Sequence, residues 1–202
     1  MHARDSDEAD FERWRWATTI SAFTLPAIVA SLTFVLVNYA ASSGPSFVGL
    51  TLLTTLVAVL PLGVLVVRGL KKLAQEIEID QEANRRHWLQ FSTVSYFIGT
   101  AVVLLLRIPL LVVVVMFGYG AVTLAVLIIN LRWKISGHSM GIAVSTAVLA
   151  FVYGPWGLLF GLLLPPVMWS RVYLRRHTVA QVLAGALVGF VLMGLILVLL
   201  LR

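Results

Sequence analysis

The sequence predicts an all-α protein, a polytopic transmembrane helix bundle of about six to seven spans. Three observations carry that expectation. Of 202 residues, 60% are hydrophobic and 12% charged, with a mean hydropathy of +0.97, where soluble domains carry about 25% charged residues. Apolar runs of about 20 residues, the length that crosses a hydrocarbon core roughly 30 Å thick, recur along the chain. Only short polar, Pro- or Gly-containing turns separate them, which leaves no room for a soluble domain.

Seven segments have the required length. The first runs from about Trp16 to Tyr39, with Trp14 and Trp16 as interfacial anchors at its start, and ends at the turn-like Ser42-Ser43-Gly44-Pro45. The second, about Phe47 to Val67, is closed by Arg68-Gly69-Leu70-Lys71-Lys72. A third, about Trp88 to Leu106, turns at Arg107-Ile108-Pro109, where Arg107 snorkels at a hairpin tip. The fourth is about Leu110 to Leu131, and the fifth starts near Ser136 and stops at Gly154-Pro155. The sixth spans Trp156 to about Tyr173 through a Pro165-Pro166 kink, and the seventh about Thr178 to Leu201. Gly185, Gly189 and Gly194 lie near one face of the seventh at a spacing that suits close helix packing.

Residues 1–15 form a polar tail, and 16–202 one transmembrane domain with a polar connector at 71–86. The first twelve residues carry five acids and lack the positive region of a signal peptide. Acids occupy two places only, Asp5 to Glu12 and Glu76 to Glu82, with none from Ala83 to Arg202. That gap excludes a carboxylate-built metal site in the C-terminal part, because hard cations need several oxygen ligands. It also leaves the basic residues from Arg85 onward without a local counter-ion, so an anionic partner is expected. The absence of cysteine excludes thiolate zinc, disulfide and thiol redox chemistry. Alternating the crossings puts 13 of the 15 Lys and Arg on one side, against Arg107 and Arg202, which makes the basic face cytoplasmic.

Two polar sequences interrupt the apolar surroundings on that face. They are Lys134-Ile135-Ser136-Gly137-His138 and the run from Ser170-Arg171 through Arg175-Arg176-His177 to Gln181. Each lies at a helix end, where backbone N–H groups lack intrahelical partners and the dipole favours an anion. Ser136-Gly137-His138 opens the fifth span, so its amides can cradle a phosphate while Gly137 allows close backbone approach. His177 opens the seventh span with Gln181 four residues on, one turn along the same face. An amide oxygen there accepts from one imidazole N–H, fixes the tautomer and leaves the other nitrogen to attack.

On these residues the chain resembles the type 2 phosphatidic acid phosphatase (PAP2) superfamily of membrane lipid phosphatases. Ser170-Arg171, His177 and a polar partner at 181 resemble its third signature, and Ser136-Gly137-His138 its second, which is usually preceded by Pro where this chain has Ile135. The resemblance implies a PAP2-like core and a reaction without metal or other cofactor. It implies that His177 forms a phosphohistidine, that His138 protonates the leaving alkoxide, and that Arg171, Ser136 and Gly137 hold phosphate oxygens. The chain departs from the family at Gln181, where the signature carries an Asp that orients and charges the nucleophilic His. The first signature, a Lys with an Arg-Pro seven residues later, is met only by charge: Lys71, Lys72, Arg85 and Arg86 stand at the right place without that spacing or the Pro. Lys72 and Arg85 are the residues assigned to phosphate among them.

Positioning and neutralisation of charge on the phosphoryl oxygens dominate phosphoryl transfer, which suits bidentate Arg and helix amides. A His near its ordinary pKa of about 6.5 suits leaving-group protonation. The expected partners are the lipid bilayer and a lipid phosphate or diphosphate of the phosphatidate or polyprenyl type, with no nucleic acid. The alternative is a non-catalytic PAP2-like protein that binds lipid phosphates or serves assembly. A transporter, which needs internal ionisable residues and paired broken helices, finds little support beyond Arg107 and the Pro-containing spans.

Overall fold

Prolines, not charges, set the first boundary of the fold. Pro26 has no N–H to donate and its ring crowds the preceding turn, which favours a break in the helix at this point. Leu25 before it takes the extended conformation (φ −53°, ψ 134°) that the pre-proline position favours. The computed structural model describes residues 2–42, 45–73 and 81–202, with the side chains of 10–42, 46–60 and 86–202. Its elements are α1 (His2–Phe23), α2 (Pro26–Ala41), α3 (Pro45–Leu73), α4 (Gln81–Leu105), α5 (Leu110–Ile129), α6 (Gly137–Tyr153), α7 (Pro155–Leu158), a 3-10 turn (Leu159–Leu163), α8 (Leu164–Tyr173) and α9 (Val179–Leu201). Among the described residues there is no strand.

Among the described residues, Arg86–Leu105 of α4, α5 and α9 are long and apolar enough to cross a membrane, and the pair Asp10–Phe23 with Pro26–Ala41 makes a fourth if its 50° bend is taken as one broken span. Two expectations are corrected here. The segment from Trp16 to Tyr39 is two helices, broken by Pro26. The segment from Trp156 to Tyr173 is divided ahead of Pro165-Pro166, into α7, the 3-10 turn and α8, and those prolines stand in the first turn of α8, where a missing N–H costs nothing. α6 is an apolar helix of 17 residues. The connector at 71–86 is helical at both ends, as the close of α3 and the opening of α4, while 74–80 lie outside the described residues.

α6 is the axis of the bundle. Every residue from Ser139 to Leu149 is buried, the pattern of a helix enclosed on all sides. It packs most extensively on α9 and also meets α2, α5, α7 and α8, while α4 with α5 and α2 with α3 form neighbouring pairs. Phe34, Met116, Val144, Val148, Met193 and Leu197 fill the core between them. Several polar groups inside are tied to one another, as an apolar medium favours: Tyr119 Oη lies 2.9 Å from Ser145 Oγ, and Asn38 Nδ2 donates to Thr54 Oγ1 at 2.9 Å, while Asn38 Oδ1 is buried without a partner.

Candidate functional site

Two close contacts level the starts of α6 and α9. A Cβ on Gly185 would lie 2.4 Å from the Ser136 carbonyl oxygen, and one on Gly189 2.7 Å from that of Met140; small residues four apart let backbones approach this closely. The Ser136 N–H donates to the Gln181 carbonyl at 3.1 Å. The helices run parallel, since at their far ends the Arg202 guanidinium lies 5.6 Å from the Phe151 ring centre. Gly194 does not share this contact, because an added Cβ there meets nothing within 4 Å. The buried neighbour Met193 holds that face instead.

The approach to α6 is fixed by Asn130, whose Oδ1 accepts from the Ile135 N–H at 3.0 Å while its Nδ2 donates to the Val126 carbonyl at 2.9 Å. Ser136 is the N-cap, its Oγ accepting from the Ser139 N–H at 3.3 Å and lying 3.2 Å from Ser139 Oγ. Its side chain is fully buried and committed to the cap, so the donors left at this end are the Gly137 and His138 amides, which have no carbonyl of their own helix to bond. Trp88 packs over Gly137, 3.6 Å from where a Cβ would stand. α4 therefore opens at the same end of the bundle. The side chains of Lys72 and Arg85 lie outside the described residues, Lys72 near the close of α3 and Arg85 one turn before Trp88.

α8 ends in a Schellman turn with Arg175 in the left-handed region (φ 53°). The Arg175 N–H donates to the Val172 carbonyl at 2.9 Å, and the Arg176 and His177 N–H groups both donate to the Arg171 carbonyl, at 3.0 and 3.2 Å. This fold-back returns His177 to the neighbourhood of Arg171. α9 then starts in a capping box: Thr178 Oγ1 accepts from the Gln181 N–H at 3.3 Å, and Gln181 Oε1 accepts from the Thr178 N–H at 3.1 Å. The same Oε1 lies 3.3 Å from His177 Nδ1. An amide oxygen only accepts, so Nδ1 carries the proton and Nε2 of the neutral ring keeps its lone pair.

α1 closes the cluster from the side. Ser170 Oγ donates to the Ala17 carbonyl at 2.7 Å, and an Arg171 terminal nitrogen donates to Ser21 Oγ at 2.6 Å. His138 stands beside the Ser21 backbone and within electrostatic reach of both Arg171 and His177. His138 Nε2 and Arg171 Nε are buried without a hydrogen-bond partner. Both atoms lie in one cluster of cationic and imidazole groups, where an unpaired buried polar atom calls for a partner. The described ion pairs, Arg13 with Asp10 and Arg15 with Glu12, lie on exposed turns of α1. Among the described residues no group of three His, Cys, Asp or Glu is placed to hold a metal ion. Beside the cluster, an apolar groove of about 370 Å³ runs between α8 and α9, lined by Met168, Trp169, Val172, Tyr173, Val182 and Leu183 among others.

The fold thus brings Ser136, Gly137, His138, Arg171, His177 and Gln181 to one end of the bundle. Sequence reasoning missed Thr178, Asn130 and Ser21. The Thr-x-x-Gln pattern was a readable signal for Thr178, and Asn130 bonds only to residues four and five positions away, whereas Ser21 acts through a tertiary contact that no local pattern announces. Compared with protein-family models, curated proteins and solved structures, the chain shows no match.

Proposed function

We propose that the protein is a metal-independent membrane lipid phosphatase, with six or seven spans around a PAP2-like core, acting on a lipid phosphate or diphosphate through a phosphohistidine. The observation that carries this reading is the convergence of His138, Arg171 and His177, with His177 Nδ1 held by Gln181. His177 Nε2 attacks phosphorus as the bond to the lipid oxygen breaks. His138 Nε2 gives that oxygen its proton, and the lipid leaves as an alcohol, or as a lipid monophosphate from a diphosphate. Water then attacks the phosphohistidine, returns a proton to His138, and releases inorganic phosphate with His177 restored. Arg171 and the amides of Gly137 and His138 neutralise the phosphoryl oxygens throughout. The groove between α8 and α9 supports an amphiphilic substrate, since it offers an apolar path beside a cationic cluster. The charge count of the loops supports a cytoplasmic active-site face.

Gln181 favours a second reading, a non-catalytic protein that binds a lipid phosphate in the same place, because an amide orients His177 without supplying charge. The two part at His177. Purified protein in chelator-containing detergent is expected to release phosphate from dioctanoyl phosphatidate or farnesyl diphosphate, and His177→Ala to lose at least about a thousandfold of that rate. Binding without release in the wild type would favour the second reading.

A further inference from the structure

The broken first span has a chemical consequence at the site. Thr24 N–H donates to the Ile20 carbonyl, and Leu25 N–H donates to Ala22 rather than to Ser21. The Ser21 carbonyl is therefore left without a donor from its own helix, one turn before Pro26. The Ser21 hydroxyl receives Arg171 at 2.6 Å, and His138 stands beside the same stretch of backbone. Ser21 thus holds the guanidinium through a terminal nitrogen, leaving Arg171 Nε, unpartnered like the neighbouring His138 Nε2, for a ligand. The C-terminal end of a helix also carries about half a negative charge. In a region with no acid from Ala83 to Arg202, α1 supplies the partial negative charge that a carboxylate would otherwise bring to this cluster.

We propose that Ser21 is a positioning residue of the phosphate site: its hydroxyl fixes Arg171 beside His138 and His177. The proposal rests on the phosphatase reading and deepens it. The hydroxyl can be removed alone. With dioctanoyl phosphatidate and farnesyl diphosphate as probes, Ser21→Ala is expected to lower kcat/KM about tenfold, the scale of a lost hydrogen bond to a charged group. Ser21→Thr, which keeps the hydroxyl, restores it, and Ser21→Cys, a weaker acceptor, falls between them. In an Arg171→Ala background, Ser21→Ala has no further effect, because its partner is already gone. A packing role would instead add its loss to that of Arg171→Ala and would not grade with acceptor strength.

An active wild type with equally active Ser21→Ala overturns this proposal alone, as does a Ser21→Ala loss that persists undiminished without Arg171. A wild type that releases no phosphate from either probe overturns the phosphatase reading and this proposal together.

Discussion

Gln181 serves two purposes with one oxygen, closing the α9 capping box and holding His177 Nδ1. Any substitution there tests both. Glu keeps the box, since Glu and Gln serve equally at the third helical position, and adds the charge that an imidazolium formed during turnover would meet. Gln181→Glu is expected to raise kcat about tenfold, equivalent to one unit of imidazole basicity, as measured by phosphate release. Unchanged kcat would contradict the role of position 181 in the account. Arg175 offers a test of backbone chemistry. It holds a left-handed conformation (φ 53°) that costs a residue with a Cβ roughly 1–2 kcal/mol. Arg175→Gly is therefore expected to raise the melting temperature in detergent, while Arg175→Ala, which loses the same charge but keeps a Cβ, does not. At this scale the sequence was legible where spacing is local. His177 and Gln181 stand four apart on one helix, so their contact follows from the helical repeat. Ser21 and Arg171 are separated by 150 positions, and only the packing of α1 on α8 joins them.

The helices show where an apolar run is an incomplete guide. Length and hydropathy join Trp16 to Tyr39 into one span, but, whereas α3 continues through Pro61, the chain breaks at Pro26, where the missing donor and the ring clash favour a break. The same holds for Trp156 to Tyr173, where the helix is interrupted before the two prolines. The small-residue stripe of α9 was read in outline from sequence, and the structure divides it. An added Cβ at Gly185 or Gly189 would meet the Ser136 or Met140 backbone, and one at Gly194 would meet nothing within 4 Å. Gly185→Ala is expected to destabilise by about 1–3 kcal/mol, the usual cost of overpacking, since its Cβ would meet a backbone oxygen at 2.4 Å. It also displaces Ser136 from Gln181 and so reduces phosphate release. Gly194→Ala, by contrast, is expected to be neutral or stabilising by up to about 1 kcal/mol through helix propensity. Thermal unfolding of the two variants checks the pair, and equal loss in both would contradict the parallel packing of α6 on α9.

Over the whole molecule, the parallel course of α6 and α9 puts the two polar sequences at one end, where Asn130 closes α5 and Trp88 opens α4. The sequence expectation that both sequences share a face needs only alternating crossings, and it agrees with this packing even though the first and sixth segments are broken. Composition alone indicated the helical class and the membrane, because 60% hydrophobic residues leave few other solvents. The depth at which α1 meets the site was not legible, as it depends on a bend. The orientation proposed from loop charge predicts opposite accessibility at two exposed arginines. In intact cells an impermeant thiol reagent is expected to label Arg107→Cys and to reach Arg132→Cys only after permeabilisation, in a chain that has no native cysteine to compete. The reverse pattern would place the site on the outer face.

The central claim is that His177 becomes covalently phosphorylated. Acid-labile, base-stable radiolabel on the protein, trapped by rapid denaturation during turnover of a lipid labelled in the phosphate that is transferred, measures it directly. The account predicts label on the wild type, its loss in His177→Ala, and its accumulation in His138→Ala with a lipid whose leaving group needs little protonation. Phosphate release without any trapped label, or equal label on His177→Ala, would contradict it.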